Sequence, residues 1–157
     1  MKKRNLLITI LSFLIITSCG FKIIDQSELN NFTIQNIIVT GEKRINYKLK
    51  NKLLSKSNKK ENRSIIIELA TNKVKSVNEK NIKNEITKYQ LEVNVKIKFY
   101  ETNNKIPDNF SVVESGNYLV SKKYSQTLKN ENKLIEILTE RIANNITNNL
   151  VQKFNDL

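Results

Sequence analysis

Side chains that could make or break covalent bonds are scarce in this sequence. Of its 157 residues one is cysteine, Cys19, and none is histidine. Without an imidazole the chain lacks the usual base of a nucleophilic triad and a common zinc ligand. Its serines and threonines stand beside no group that would activate them. Glu136 and Glu140 fall one helical turn apart, yet neither a nucleophile nor a metal ligand accompanies them. They read as solvent-facing residues that pair with Lys133 or Arg141. The pattern predicts no catalysis, no metal and no diffusible cofactor. Two kinds of chemistry remain, alkylation of the Cys19 thiol and the holding of anions by lysine.

The surroundings of Cys19 say which alkylation. Lys2, Lys3 and Arg4 precede a mostly apolar run from Leu6 to Ile16, and Ile16-Thr17-Ser18 lead into the cysteine. A basic start, a short apolar middle and small residues before a cut describe a secretory signal. The run falls short of the roughly 18 residues that span a bilayer. An aliphatic residue and two small ones before a cysteine resemble the bacterial lipobox, in which the thiol receives diacylglycerol and the chain is cut to make that cysteine the first residue. Residues 1–18 are then the signal peptide, 19–31 a lipidated tether and 32–157 one folded domain. Diacylglycerol and an N-acyl chain on Cys19 would anchor the protein without insertion, at about 0.8 kcal/mol per buried CH₂. Gly20 after the cysteine, where Asp would favour retention, points to the outer membrane, with the domain on its periplasmic side.

Charge points the same way. The chain has 27 Lys and Arg against 15 Asp and Glu. With Lys2, Lys3 and Arg4 removed, 24 basic residues remain against 15, an excess of +9. Only Arg4, Arg44, Arg63 and Arg141 are arginines, and Asn and Ile abound, so part of the lysine content reflects an A+T-rich coding bias. An exported, anchored protein meets no cytoplasmic nucleic acid. The anions in its reach are phospholipid headgroups and lipopolysaccharide phosphates, and the position of each lysine matters more than the total.

These residues need elements to position them. Thr33–Val39 is rich in β-branched residues and reads as a strand closed by Thr40-Gly41. Ile45, Leu49, Leu53 and Leu54 recur at helical spacing, with Lys48, Lys50 and Lys52 directed outward. A second strand starts at Ser64 and continues, more polar, through Val74 and Val77, with Ser76–Asn84 as a polar hairpin tip. Tyr89, Leu91, Val93, Val95, Ile97 and Phe99 then alternate with polar residues, which defines an antiparallel strand with one buried face. Phe110–Val120 forms a fourth strand in which Gly116 marks a bulge or a close approach. Ser121–Thr127 reads as strand end and loop, and a long helix starts at Asn130 or Asn132. Its apolar stripe is Ile135, Leu138, Ile142, Ile146, Leu150 and Phe154. The order β-α-β-β-β-α predicts an α+β fold, a two-layer sandwich of a four-stranded, mostly antiparallel sheet covered by two helices.

Several of these segments together resemble the LptE family of lipopolysaccharide-assembly lipoproteins. They are Cys19-Gly20-Phe21, Thr87-Lys88-Tyr89-Gln90-Leu91 at the head of the long strand, and Tyr124, Leu128-Lys129-Asn130-Glu131-Asn132 and Glu140-Arg141-Ile142-Ala143 around the last helix. The likeness extends to element order across the chain past Cys19, and departs at Lys22-Ile23-Ile24-Asp25, where many alphaproteobacterial relatives carry Arg-Pro-Leu-Tyr. It implies a non-catalytic protein of the outer membrane that occupies the lumen of an LptD-like β-barrel, helps it fold and binds lipopolysaccharide. It also implies basic binding residues in the second hairpin, here Lys80, Lys83 and Lys88 with Lys73 and Lys75 leading in, and at Lys129 before the final helix. Lys122 and Lys123 are further candidates. Taken alone, a charged hairpin tip is equally a solvated loop, and Glu79 and Glu85 dilute its field. The other class of function open to such a chain is an adaptor or pilot lipoprotein for a different barrel or secretion pore, without a lipid ligand.

The lipobox reading makes a direct prediction. Cys19→Ser should abolish incorporation of labelled palmitate and leave the uncut precursor, both visible on one gel.

Overall fold

The computed structural model of the chain describes residues 32–57, 63–103 and 106–155. Cys19 and the tether at 19–31 lie outside them. The elements are β1 (Thr33–Gly41), α1 (Lys43–Lys56), β2 (Ser64–Lys80), β3 (Ile86–Glu101), β4 (Asp108–Leu119) and α2 (Tyr124–Asn155). The sheet runs β1-β2-β3-β4. β1 and β2 are parallel, with α1 as the crossover that a parallel pair requires. The other two pairings are antiparallel. The architecture is the expected α+β sandwich, with a mixed sheet.

The alternation along β3 organises the core. Leu91, Val93, Val95, Ile97 and Phe99 are all buried. Through the register Phe99 and Ile97 align with Ile67 and Leu69 on β2, and Val95 aligns with Val112 on β4. Ile45, Leu49 and Leu53 close this layer from α1, and Ile135, Leu138, Ile142, Ile146, Leu150 and Phe154 close it from α2. Leu54 and Tyr47, also apolar in the α1 pattern, face outward. The β3–β4 register is unbroken at Leu91↔Gly116, so Gly116 marks a close approach. A Cβ there would lie 2.8 Å from Leu134 Cδ1. Gly41 ends β1 at φ +91, where a side chain would strike the Thr71 carbonyl.

Three expectations are corrected. Ser76–Lys80 is strand, and the hairpin turns only at Asn81–Glu85, because the main-chain ladder with β3 continues past the point where apolar residues stop. The last helix starts at Tyr124, so most of Ser121–Thr127 belongs to it. Neither asparagine caps it: Asn130 Nδ2 donates to the Leu119 carbonyl at 2.9 Å, and Asn132 Oδ1 accepts from Arg44 at 2.7 Å. Glu136 and Glu140 pair with Lys48 (2.7 Å) and Lys52 rather than Lys133 or Arg141.

The partners follow a simple geometry. Arg44–Asn132, Lys48–Glu136, Lys52–Glu140 and Lys56–Asn144 recur every four residues on both helices. α1 and α2 therefore run parallel, one rung per turn. Thr139 and Thr147, buried along α2, return their hydroxyls to the carbonyls of Ile135 and Ala143, which satisfies them without a partner across the interface.

Burial ranks the stabilising contributions. Ile142→Ala, at a site with no exposure, should lower the unfolding free energy by about 2–5 kcal/mol in urea denaturation. Ile137→Ala on the outer side of the same helix should change it by no more than about 0.5 kcal/mol.

Candidate functional site

Past the end of β1, strands β2, β3 and β4 run on together as far as Lys88 and Leu119, and beyond that point β2 and β3 alone form a short two-stranded arm that turns at Asn81–Glu85. The Asn81 side chain makes most of the hydrogen bonds that brace the turn. Asn81 Oδ1 accepts the N–H groups of Lys83 (2.9 Å) and Glu85 (3.0 Å), and its amide donates to Glu85 Oε2 at 2.7 Å. Asn84 takes the left-handed conformation (φ 63), which asparagine tolerates better than most residues. Ile82, the apolar residue of the turn, is fully exposed.

The start of α2 lies at the same end. Leu119 pairs with Lys88, and the Val120 N–H donates to the Thr87 carbonyl at 2.9 Å. The turn at 120–123 and the first turns of α2 thus flank the base of the arm. The Ser121 N–H donates to Thr127 Oγ1 at 2.8 Å, a bond that ties this turn to the helix. Lys80, Lys83, Lys88, Lys122, Lys123 and Lys129 all belong to this end of the molecule. Exposed apolar side chains lie among them, Val77, Ile82, Leu119, Tyr124 and Leu128.

The lysines are not equivalent. Lys88 lies 2.5 Å from Glu79, and that hydrogen bond, with a second from Thr87, holds the Glu79 carboxyl below its ordinary range. Lys80 donates to the neutral Asn84 side chain at 2.9 Å, which leaves its charge uncompensated. Lys83, Lys122, Lys123 and Lys129 have no carboxylate within salt-bridge distance among the described residues. Lys129 does not precede the helix as expected. It lies inside α2, exposed, and Lys122 and Lys123 stand before the helix start, where free N–H groups favour an anion.

Lys75 serves a different purpose from the tip lysines. Its ammonium lies 2.9 Å from Glu131 Oε2, 4.2 Å from the Tyr89 ring centre and 5.2 Å from that of Tyr118. The two rings stack at 5.7 Å, and Tyr118 OH donates to the same Glu131 oxygen at 2.8 Å. Burial opposes the charge on Lys75, but its interactions with Tyr118 and Glu131 prevail and push it up to about 12. Burial likewise opposes the Glu131 carboxylate, and the bonds from Lys75 and Tyr118 hold it below its ordinary value. The Tyr118 phenol is raised, first by burial. This cluster pins α2 to the base of the arm and removes Lys75 from any set of anion ligands.

The sequence pattern did not single out the apolar members of this end. One signal was available, an isoleucine inside the turn-forming run Asn81-Ile82-Lys83-Asn84, where polar residues are the rule. Elsewhere, the outer sheet face carries an open groove of about 460 Å³ around Ala70, with Lys96 and Lys98 on its rim. Lys98 faces Glu68 there at 3.4 Å. Among the described residues no cluster of His, Cys, Asp or Glu could hold a metal, and no helix is long and apolar enough to cross a membrane.

The chain shares its fold with solved lipoproteins. A lipoprotein from Caulobacter crescentus CB15 is similar at a TM-score of 0.59 and 15% identity, over 82% of this chain and 94% of that one. Lipoprotein B from Nitrosomonas europaea gives 0.55 and 13%, over 84% and 88%. Rare lipoprotein B from Shewanella oneidensis gives 0.50 and 13%, over 81% and 95%. At these identities the likeness is one of fold. No family model and no curated protein matches the sequence.

The Glu131 cluster predicts a pH dependence. A carboxyl whose pKa is lowered by folding stabilises the fold above its unfolded value and loses that contribution as pH falls through its folded value. Urea midpoints measured from pH 7 to pH 3 should fall below about pH 4.5 for the wild type, and the fall should be shallower for Glu131→Gln.

Proposed function

We propose that this chain is a lipid-anchored protein of the outer membrane that occupies an LptD-like β-barrel, assists its assembly and binds lipopolysaccharide on its way to the cell surface. The proposed anchor is diacylglycerol with an N-acyl chain on Cys19, and the proposed role involves no catalysis and no nucleic acid. The observation that carries the reading is the gathering of Lys80, Lys83, Lys122, Lys123 and Lys129, none of them neutralised by a carboxylate, at one end of the sandwich. Lysine offers a phosphate a mobile point charge with three donors, and several spaced lysines suit a ligand with more than one phosphate. The fold shared with solved lipoproteins and the lipobox at Cys19 support the anchored location.

The arrangement has a direction. The described chain enters at Phe32, beside the start of β2, and the tip lies at the other end of that 17-residue strand. A strand of this length spans on the order of 50 Å. The tether therefore joins one end of the domain while the free lysines occupy the other. In the proposed role, the body of the sandwich fills the barrel by shape while its basic end meets the lipid.

Reversing two of the free charges separates the two roles. Lys83→Glu with Lys129→Glu should weaken lipopolysaccharide binding about ten-fold at low ionic strength, with a smaller difference at high salt. Co-purification with the barrel should be unchanged. Unaltered binding would remove the lysines from the site. A wild-type chain that captures a barrel or pore but no lipopolysaccharide would establish the adaptor reading instead.

A further inference from the structure

We infer that Ile82 is an apolar wedge, held at the hairpin tip so that it enters the acyl region of a lipopolysaccharide assembly while Lys80 and Lys83 meet the phosphates above it. The inference rests on the lipopolysaccharide reading and adds the contact that would act on the acyl chains.

Three observations carry it. First, Ile82 is fully exposed, and the turn that presents it needs nothing from its side chain. The braces are the Asn81 side chain, the Lys80–Asn84 hydrogen bond and the left-handed Asn84. An isoleucine that contributes nothing to the fold costs solubility, and a polar residue would serve the turn as well. Second, the bracing keeps the tip in one shape, so little conformational freedom remains to be lost on insertion. Third, Ile82 lies between two lysines that no carboxylate neutralises. The one carboxylate of the turn, Glu85, is held by the Asn81 amide, and an apolar tip flanked by two lysines matches the boundary between an anionic headgroup layer and acyl chains, because lysine can keep its charge among headgroups while its stem follows the apolar neighbour inward. Leu119, Tyr124 and Leu128, beside Lys122, Lys123 and Lys129, repeat this composition at the base of the arm. A branched side chain driven among acyl chains disturbs their lateral packing, which is the step needed to free a single molecule from an aggregate.

The test crosses the residue with the acyl chains of the ligand. The full lipidated chain, in a nonionic detergent, would be titrated calorimetrically with intact lipopolysaccharide and with its fully deacylated, still phosphorylated form. Ile82→Asn, which removes the apolar contact without adding charge, should bind the intact form about ten-fold more weakly, the scale expected for losing one buried isoleucine. Ile82→Leu should bind it like the wild type. All three proteins should bind the deacylated form equally, and their thermal midpoints should coincide because the side chain supports no part of the fold. The wedge is refuted if Ile82→Asn binds intact lipopolysaccharide as the wild type does, or loses both forms equally. It is also refuted if Ile82→Asn keeps the lipid and loses the barrel, which would make Ile82 a protein contact. A wild-type chain that binds neither form would overturn the lipopolysaccharide reading itself.

Discussion

Leu91, Val93, Val95, Ile97 and Phe99 leave β3 on one side and join a single core with Leu138, Ile142 and Ile146 of α2. A slip of one residue would bury Lys96, Lys98 and Glu92 in their place, and burying unpaired charges is costly. That register in turn aligns β2 and β4 and leaves one sheet face for the helices to cover. The arm begins where the β4 ladder stops, at Lys88↔Leu119, because the β2–β3 ladder runs on to Lys80↔Ile86. The short basic hairpin tip is the continuation of the strand pair that forms the core.

Electrostatics then sorts the cations. Lys48 and Lys52 join the two helices, Arg63 and Glu101 meet at 3.5 Å, Lys153 reaches Asp108, and Lys75 is enclosed with Glu131 and two tyrosines. Most of these pairs are exposed and each adds little stability. Their larger effect is on where free charge remains. At the tip and around the start of α2, Glu79 is taken up by Lys88 and Glu85 by the Asn81 amide, so Lys80, Lys83, Lys122, Lys123 and Lys129 are left without a carboxylate partner there.

The molecule has a polarity as a result. At one end the chain arrives from the proposed lipid anchor, and at the other a stiff turn presents cations together with uncovered apolar side chains. The fold is similar to that of solved lipoproteins at 13 to 15% identity, so one sandwich is reached by widely different sequences. A scaffold of that kind leaves the chemistry of its ends free to differ between relatives.

The elements themselves were legible in the sequence. Strict period-two alternation and a stripe at spacings of three and four are local patterns, and burial requires no more than that they be satisfied. The charged side chains were a different matter. Lys75 and Lys83 lie eight residues apart in one polar stretch, yet one is bound to Glu131 and the other has no carboxylate partner among the described residues. Glu136 and Glu140 had basic residues close by in sequence, and took partners 88 residues away on a parallel helix. Asn130 looked like a helix cap, and it bonds a strand end instead. The sequence by itself determined the order of elements and the buried faces, because each depends on neighbours along the chain. Tertiary structure alone decided which lysines have a carboxylate partner, where α2 begins and that Ile82 shares an end with the cations, because each of these depends on which distant residues the packed core brings within reach.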